Sequence, residues 1–116
     1  MKYALVTGCA GFIASHLVEK LLLDNWNVIG LDNFHPYYDK QLKLENLQNF
    51  KNHRNFKFVE GSILDLDFLK KLSNIDTIFH LAAIAGVRTS FENPDEYFKI
   101  NVKGTENILK TFENIN

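Results

Sequence analysis

Gly8, Gly11 and Asp32 are the residues whose types and spacing point most directly to chemistry. Gly8-x-x-Gly11-x-x-Ala14 follows a short apolar run, Tyr3 to Val6, and an apolar helical pattern begins at Phe12. A strand, a glycine turn and a helix N-terminus in that order aim backbone N–H groups and the positive end of a helix dipole at an anion over the turn. Gly8 would make the tight turn, Gly11 would let the backbone approach a pyrophosphate, and Ala14 is small enough for close helix–strand packing. Glycines open helices for other reasons as well, so the acid downstream matters. Asp32 stands about 20 residues beyond Gly11, at the end of the next apolar run, where a carboxylate can accept from both adenosine ribose hydroxyls. Charged hydrogen bonds of this kind contribute about 1.5–3 kcal/mol each, and the same carboxylate repels a 2′-phosphate. The pattern predicts preference for NAD over NADP; the alternative is a solvated acid after a strand.

Those residues must be held by regular elements. Apolar runs at 2–7, 27–31, 55–60 and 75–81 read as strands. Between them, Ile13, Leu17, Val18, Leu21 and Leu22 fall at helical spacing. Leu42, Leu44, Leu47 and Phe50 suggest a second helix with Lys and Asn on its wet face. Asp65 is placed as the N-cap of a short third helix. A small-residue loop, AAIAGVR, follows the fourth strand. Asn93-Pro94-Asp95-Glu96 then opens the last helix, with a cap, a proline at the first helical position and Glu96 set for a capping box. Its stripe is Phe98, Val102, Ile108, Leu109 and Phe112, interrupted by Asn101 and Thr105. A buried orphan amide costs roughly 1–3 kcal/mol, so Asn101 either faces water or bonds to backbone near a site; its place in the stripe, together with the family resemblance given below, favours the second. Apolar strands alternating with helices imply an α/β fold, a Rossmann-type doubly wound parallel sheet of about four strands in the order 3-2-1-4.

Composition bounds the rest. At 116 residues, 46% of them hydrophobic, the chain is one domain at most, with enough length to bury a core. Thirteen basic against fourteen acidic residues leave a charge of −1, with no basic patch for nucleic acid and no acidic tail. No apolar run reaches the roughly 18 residues of a membrane span and the N-terminus opens directly on a strand, so neither a transmembrane helix nor a signal peptide is expected. A single cysteine, Cys9, fits a reducing, cytoplasmic setting as a small turn residue. His16, His35, His53 and His80 lack ligand spacing, so no metal site is expected.

The stretches TGCAGFIASHL (7–17), LDN (31–33) and HLAAIAGVRTSFENPDEYFKINVKGTENIL (80–109) resemble the extended short-chain dehydrogenase/reductase family, specifically its NAD-dependent sugar epimerases and dehydratases. With DNFHPYYDKQLKLENL, they look most like UDP-glucuronate 4-epimerases. The resemblance covers essentially the whole chain; Ala14 replaces a glycine and Ser62 stands in place of a usual aspartate. It implies Phe12 and Ile13 beside the pyrophosphate, Asp32 and Asn33 by the adenosine ribose, and Ser62 and Ile63 by the adenine. It further implies Leu81, Ala82 and Ala83 on the nicotinamide side, with Asn101 behind the catalytic centre. Gly86, Val87 and Arg88 would border a UDP-sugar, Arg88 being either an anion partner or a surface arginine.

The family's catalytic Tyr-x-x-x-Lys occurs nowhere in the sequence. The expectation is therefore a truncated N-terminal NAD-binding domain over 1–116 with no catalytic residue of its own. The alternatives are part of a sugar-nucleotide 4,6-dehydratase or decarboxylase, and a non-catalytic NAD-binding or interaction module. An uncovered face on the last helix and an open sheet edge predict a homodimer or other self-association.

Overall fold

A computed structural model describes residues 2–34, 40–84 and 87–115, with only the backbone given for 87–89. Four parallel strands, β1 (Tyr3–Thr7), β2 (Asn27–Asp32), β3 (Phe56–Glu60) and β4 (Thr77–His80), form one sheet in the order β3-β2-β1-β4. The register sets Thr7 beside both Leu31 and His80, and Asp32 beside Glu60. All four C-terminal tips thus lie along one edge, and the strand order reverses between β1 and β4. In open α/β sheets that crevice is where ligands bind.

Strand side chains alternate between the two faces. Ala4 and Val6 join Ala14, Val18, Leu22, Leu47, Phe50 and Phe56 in one core cluster. Leu5 and Leu31 join Ile63, Leu69, Ile75, Ile108 and Phe112 in the other. Helices α1 (Phe12–Leu23) and α2 (Lys40–Gln48) therefore cover one face, and α3 (Leu66–Lys70) and α6 (Gly104–Thr111) the other. The sheet order and three-layer build are those the sequence predicts.

Three helical details differ from expectation. In α2 the buried positions are Lys43 and Leu47, followed by Phe50, whereas Leu42 and Leu44 are exposed. The helical period is right but its inward face carries a lysine, because Lys43 meets a buried carboxylate there. Val87 and Arg88 begin a helix, α4 (Val87–Glu92), where a loop is expected. It stops at Glu92 because Asn93, preceding a proline, is biased away from helical backbone.

The last helix is also not continuous. Next comes α5 (Pro94–Phe98), then a π-helical turn (Lys99–Lys103), then α6. Asn93 makes no side-chain cap hydrogen bond, so its half of the capping box is not formed. A π turn carries one extra residue and shifts the faces on either side of it. Ile108 and Phe112 are buried while Phe98, Val102 and Leu109 are exposed, splitting the expected stripe in two. Asp65, by contrast, caps α3 as expected, its carboxylate accepting from Phe68 N–H at 3.1 Å.

Candidate nucleotide site at the strand tips

The glycine turn is fixed by the strands it joins. Gly8 N–H donates to Leu31 O at 2.7 Å and Gly11 N–H to Gly8 O at 2.9 Å. Gly8 holds φ +69°, and a Cβ there would lie 3.0 Å from the backbone of Ala82. Both the left-handed conformation and the close approach of the β4 exit require glycine. Gly11 precedes α1 without any side-chain cap. The first N–H groups of α1 consequently have no intrahelical acceptor and remain donors for an anion.

A cavity of about 370 Å³ opens over this turn, within the size range of small-molecule sites. Its walls include Gly8, Gly11, Phe12, Ile13, Asp32, Asn33, Ser62, Ile63, Leu81, Ala82 and Ala83. Eleven sequence-predicted positions, spread over four strand ends, thus meet around one space. Phe12 and Ile13 are exposed at its rim, so Ile13 serves the cavity and not the core stripe assigned to it. Ser62 lines the wall with its hydroxyl oxygen accepting from Leu64 N–H at 3.1 Å. Asn101 stands behind the wall. Gly86 lies outside the described residues, as do the side chains of Val87 and Arg88.

Asp32 is buried, and both of its oxygens are engaged. One accepts from Ala10 N–H at 3.1 Å, the other from Phe34 N–H at 2.7 Å. Lys43 Nζ stands 3.7 Å from the second oxygen, the two side chains being 10% and 5% exposed. A carboxylate offers about four acceptor sites, so these partners hold it in place and still leave capacity for a ligand hydroxyl. Lys43 lines the cavity as well, and sequence reasoning missed it. Its signal was the spacing shared with Asn46, Leu47 and Phe50. Asn46 lies on the same side, donating to Ala10 O at 2.9 Å.

Cys9 sits in the turn with its thiol pKa pushed far up, first by burial and then by the Asp32 charge, which keeps it protonated. Among the described residues, no group of three His, Cys, Asp or Glu side chains could hold a metal ion, and no helix is long and apolar enough to cross a membrane.

At the other end of the cavity, Asn101 clamps the backbone of Ile84 from both sides. Its Oδ1 accepts from Ile84 N–H and its Nδ2 donates to Ile84 O, each at 2.9 Å. Thr105 donates to Asn101 O at 2.7 Å. Both interrupting polar residues of the last helix are therefore hydrogen-bonded, Asn101 holding the wall residue Ile84 from behind and Thr105 supporting Asn101.

Comparison with known proteins matches this arrangement to characterised folds. A family model described as GDP-mannose 4,6 dehydratase matches residues 5–116. A UDP-glucuronate 4-epimerase of Thermodesulfobacterium geofontis is 43% identical over 113 residues, covering 95% of this chain and 35% of that protein. The uncharacterized UDP-glucose epimerase YtcB of Bacillus subtilis is 44% identical over 108 residues, covering 91% and 34%. Among solved structures, UDP-glucuronic acid 4-epimerase from Bacillus cereus, in complex with UDP-glucuronic acid and NAD, superposes with a TM-score of 0.89 at 39% identity. That match covers 98% of this chain and 37% of the other. The chain thus spans about a third of the length of the curated relatives it matches.

Proposed function

The chain belongs to this GDP-mannose 4,6 dehydratase family, and we propose that residues 1–116 form the N-terminal NAD-binding part of a sugar-nucleotide epimerase of the UDP-glucuronate 4-epimerase type. The observation that carries the proposal is the convergence of an uncapped helix N-terminus and a buried strand-tip carboxylate on one cavity. The B. cereus relative, bound to NAD and UDP-glucuronic acid, supports the choice of cofactor and substrate class.

The residues fit the cofactor at each end. The N–H groups of Phe12 and Ile13 would donate to the pyrophosphate, where charge on the ligand gains from the helix dipole. Asp32, oriented by Ala10 and Phe34, would accept from the adenosine ribose, with Asn33 beside it. Ser62 and Ile63 would flank the adenine. Leu81, Ala82 and Ala83 would line the nicotinamide end and exclude water from it. Bound there, NAD would supply a hydride acceptor for C4 of the sugar. Gly86, Val87 and Arg88 would border the UDP-sugar. Epimerisation also needs groups that move the hydroxyl proton, and no residue of these 116 is assigned to that step.

The family description favours a second reading, a 4,6-dehydratase acting on a nucleotide sugar. Competitive binding of UDP-glucuronate against GDP-mannose to the NAD-loaded chain separates the two. A cytoplasmic setting and self-association through exposed Phe98, Val102 and Leu109 complete the proposal. Sedimentation at rising concentration should show a dimer or larger species, and a persistent monomer would remove that part.

Calorimetric titration of the chain with NAD and with NADP tests the cofactor assignment. NAD should bind at least tenfold more tightly. Equal affinities would refute the role given to Asp32.

A further inference from the structure

Between Thr7 on β1 and Thr105 on α6, every hydrogen in a set of side-chain bonds has only one place to go. Thr7 Oγ1 accepts from Leu81 N–H at 2.9 Å and from Ala82 N–H at 3.0 Å. A hydroxyl oxygen has two acceptor lone pairs, and those two amides occupy both. The 2.7 Å contact between Thr7 Oγ1 and His80 Nδ1 must then use the hydroxyl hydrogen, with Nδ1 as acceptor. A neutral imidazole that accepts at Nδ1 carries its hydrogen at Nε2. Nε2 lies 3.0 Å from Thr105 Oγ1, which accepts it and passes its own hydrogen to Asn101 O.

We propose that Thr7, His80 and Thr105 form a one-way hydrogen-bond chain in which His80, locked as the Nε2–H tautomer, is a positioning residue for the cavity wall from Leu81 to Ile84. One end of the chain holds the Leu81 and Ala82 amides. The other end holds the π-helical turn whose Asn101 clamps Ile84. His80 is the link between them, tying the exits of β1 and β4 to the helix that packs on the sheet face Thr7 and His80 share. Burial also opposes charging of the ring, which is the direction this arrangement needs. The chain of bonds stands on its own geometry. Its use in holding a nicotinamide ring rests on the NAD-binding reading above.

Nitrogen-15 NMR of His80 in the full 116-residue chain at neutral pH tests the lock. Nδ1 should resonate as an unprotonated ring nitrogen and Nε2 as a protonated one. The opposite tautomer, or a mixture of the two, overturns the proposal. Thr105→Val keeps the shape of the side chain and removes its hydroxyl, and Thr105→Ser restores the hydroxyl. Amide exchange at Ile84 should speed up about tenfold in the valine variant and stay near wild type in the serine variant, as expected for loss of one supporting hydrogen bond. Unchanged exchange in Thr105→Val, or equal acceleration in both, overturns it. If Thr105→Val does not fold, the wild-type tautomer and the serine variant still decide. NAD affinity should follow the exchange data, weakening about tenfold with valine and recovering with serine. Wild-type chain that binds no NAD would defeat the cofactor reading alone, since tautomer and exchange are read without ligand.

Discussion

The two ends of the cavity are built from different physics. At the β2 tip, a buried carboxylate is held by two backbone N–H groups and a buried ammonium. At the β4 tip, neutral hydroxyl, imidazole and amide groups do the holding through bonds of fixed direction. Charge gives strength at the first end, because a ligand hydroxyl bonded to a carboxylate is worth more than one bonded to a neutral acceptor. Directed neutral bonds give shape at the second, where a wall of Leu81, Ala82 and Ala83 has few polar atoms to offer a ligand. A cleft that must grip one end of a long molecule and aim the other is well served by that division.

Substitution at the charged end should have the largest effect. Asp32→Ala removes the proposed ribose acceptor and frees two N–H donors, and NAD affinity should fall at least about a hundredfold, close to the low end of the combined worth of two charged hydrogen bonds. Titration calorimetry on a variant verified as folded by circular dichroism measures it, and a loss under threefold would place the cofactor elsewhere. Lys43→Met comes next. Removing one partner of a buried pair costs about 3–5 kcal/mol when the other charge is left bare; the two N–H donors that stay on Asp32 should hold the loss to about 2 kcal/mol by urea unfolding. A loss near zero would mean the pair contributes nothing at this end.

The neutral end should respond to pH more than to charge removal. Burial lowers the His80 pKa from its ordinary 6.5, so the unfolded chain takes up a proton that the folded chain resists. Stability should be pH-independent from this group above about 6.5 and should fall as pH drops below it. His80→Gln, which keeps a donor and an acceptor but does not titrate, should flatten that part of the profile. An unaltered profile would assign the pH dependence to other groups. The smallest effect belongs to Cys9. Its thiol, buried and kept protonated, should react with a disulfide reagent only as fast as the chain opens, and rapid labelling of native protein would show the turn to be looser than its hydrogen bonds imply.

The same contrast explains what was legible in the sequence. The strands, their order and the glycine turn followed from apolar runs and a spacing that few other arrangements satisfy. Asp32 was visible because it ends a strand at the expected distance from Gly11. Lys43 was not, since a lysine on an amphipathic helix normally marks the wet face, and only the fold brings it to a carboxylate. The π turn at Lys99–Lys103 was equally hidden, as its one added residue leaves local propensity unchanged and alters which residues face inward. Asn101 and Thr105 stood out as polar residues in an apolar stripe, but their connection through His80 to Thr7 depends on contacts between residues far apart in sequence.

The central claim is that both ends of this cavity belong to one NAD site. Amide chemical shifts of nitrogen-15-labelled chain, followed through an NAD titration, test it most directly. Saturable shifts are expected at Gly8 to Ala14, at Asn33 and Ser62, and at Leu81 to Ala83, all with a single affinity. Shifts confined to one end, scattered away from the cavity, or absent at saturating NAD would contradict it.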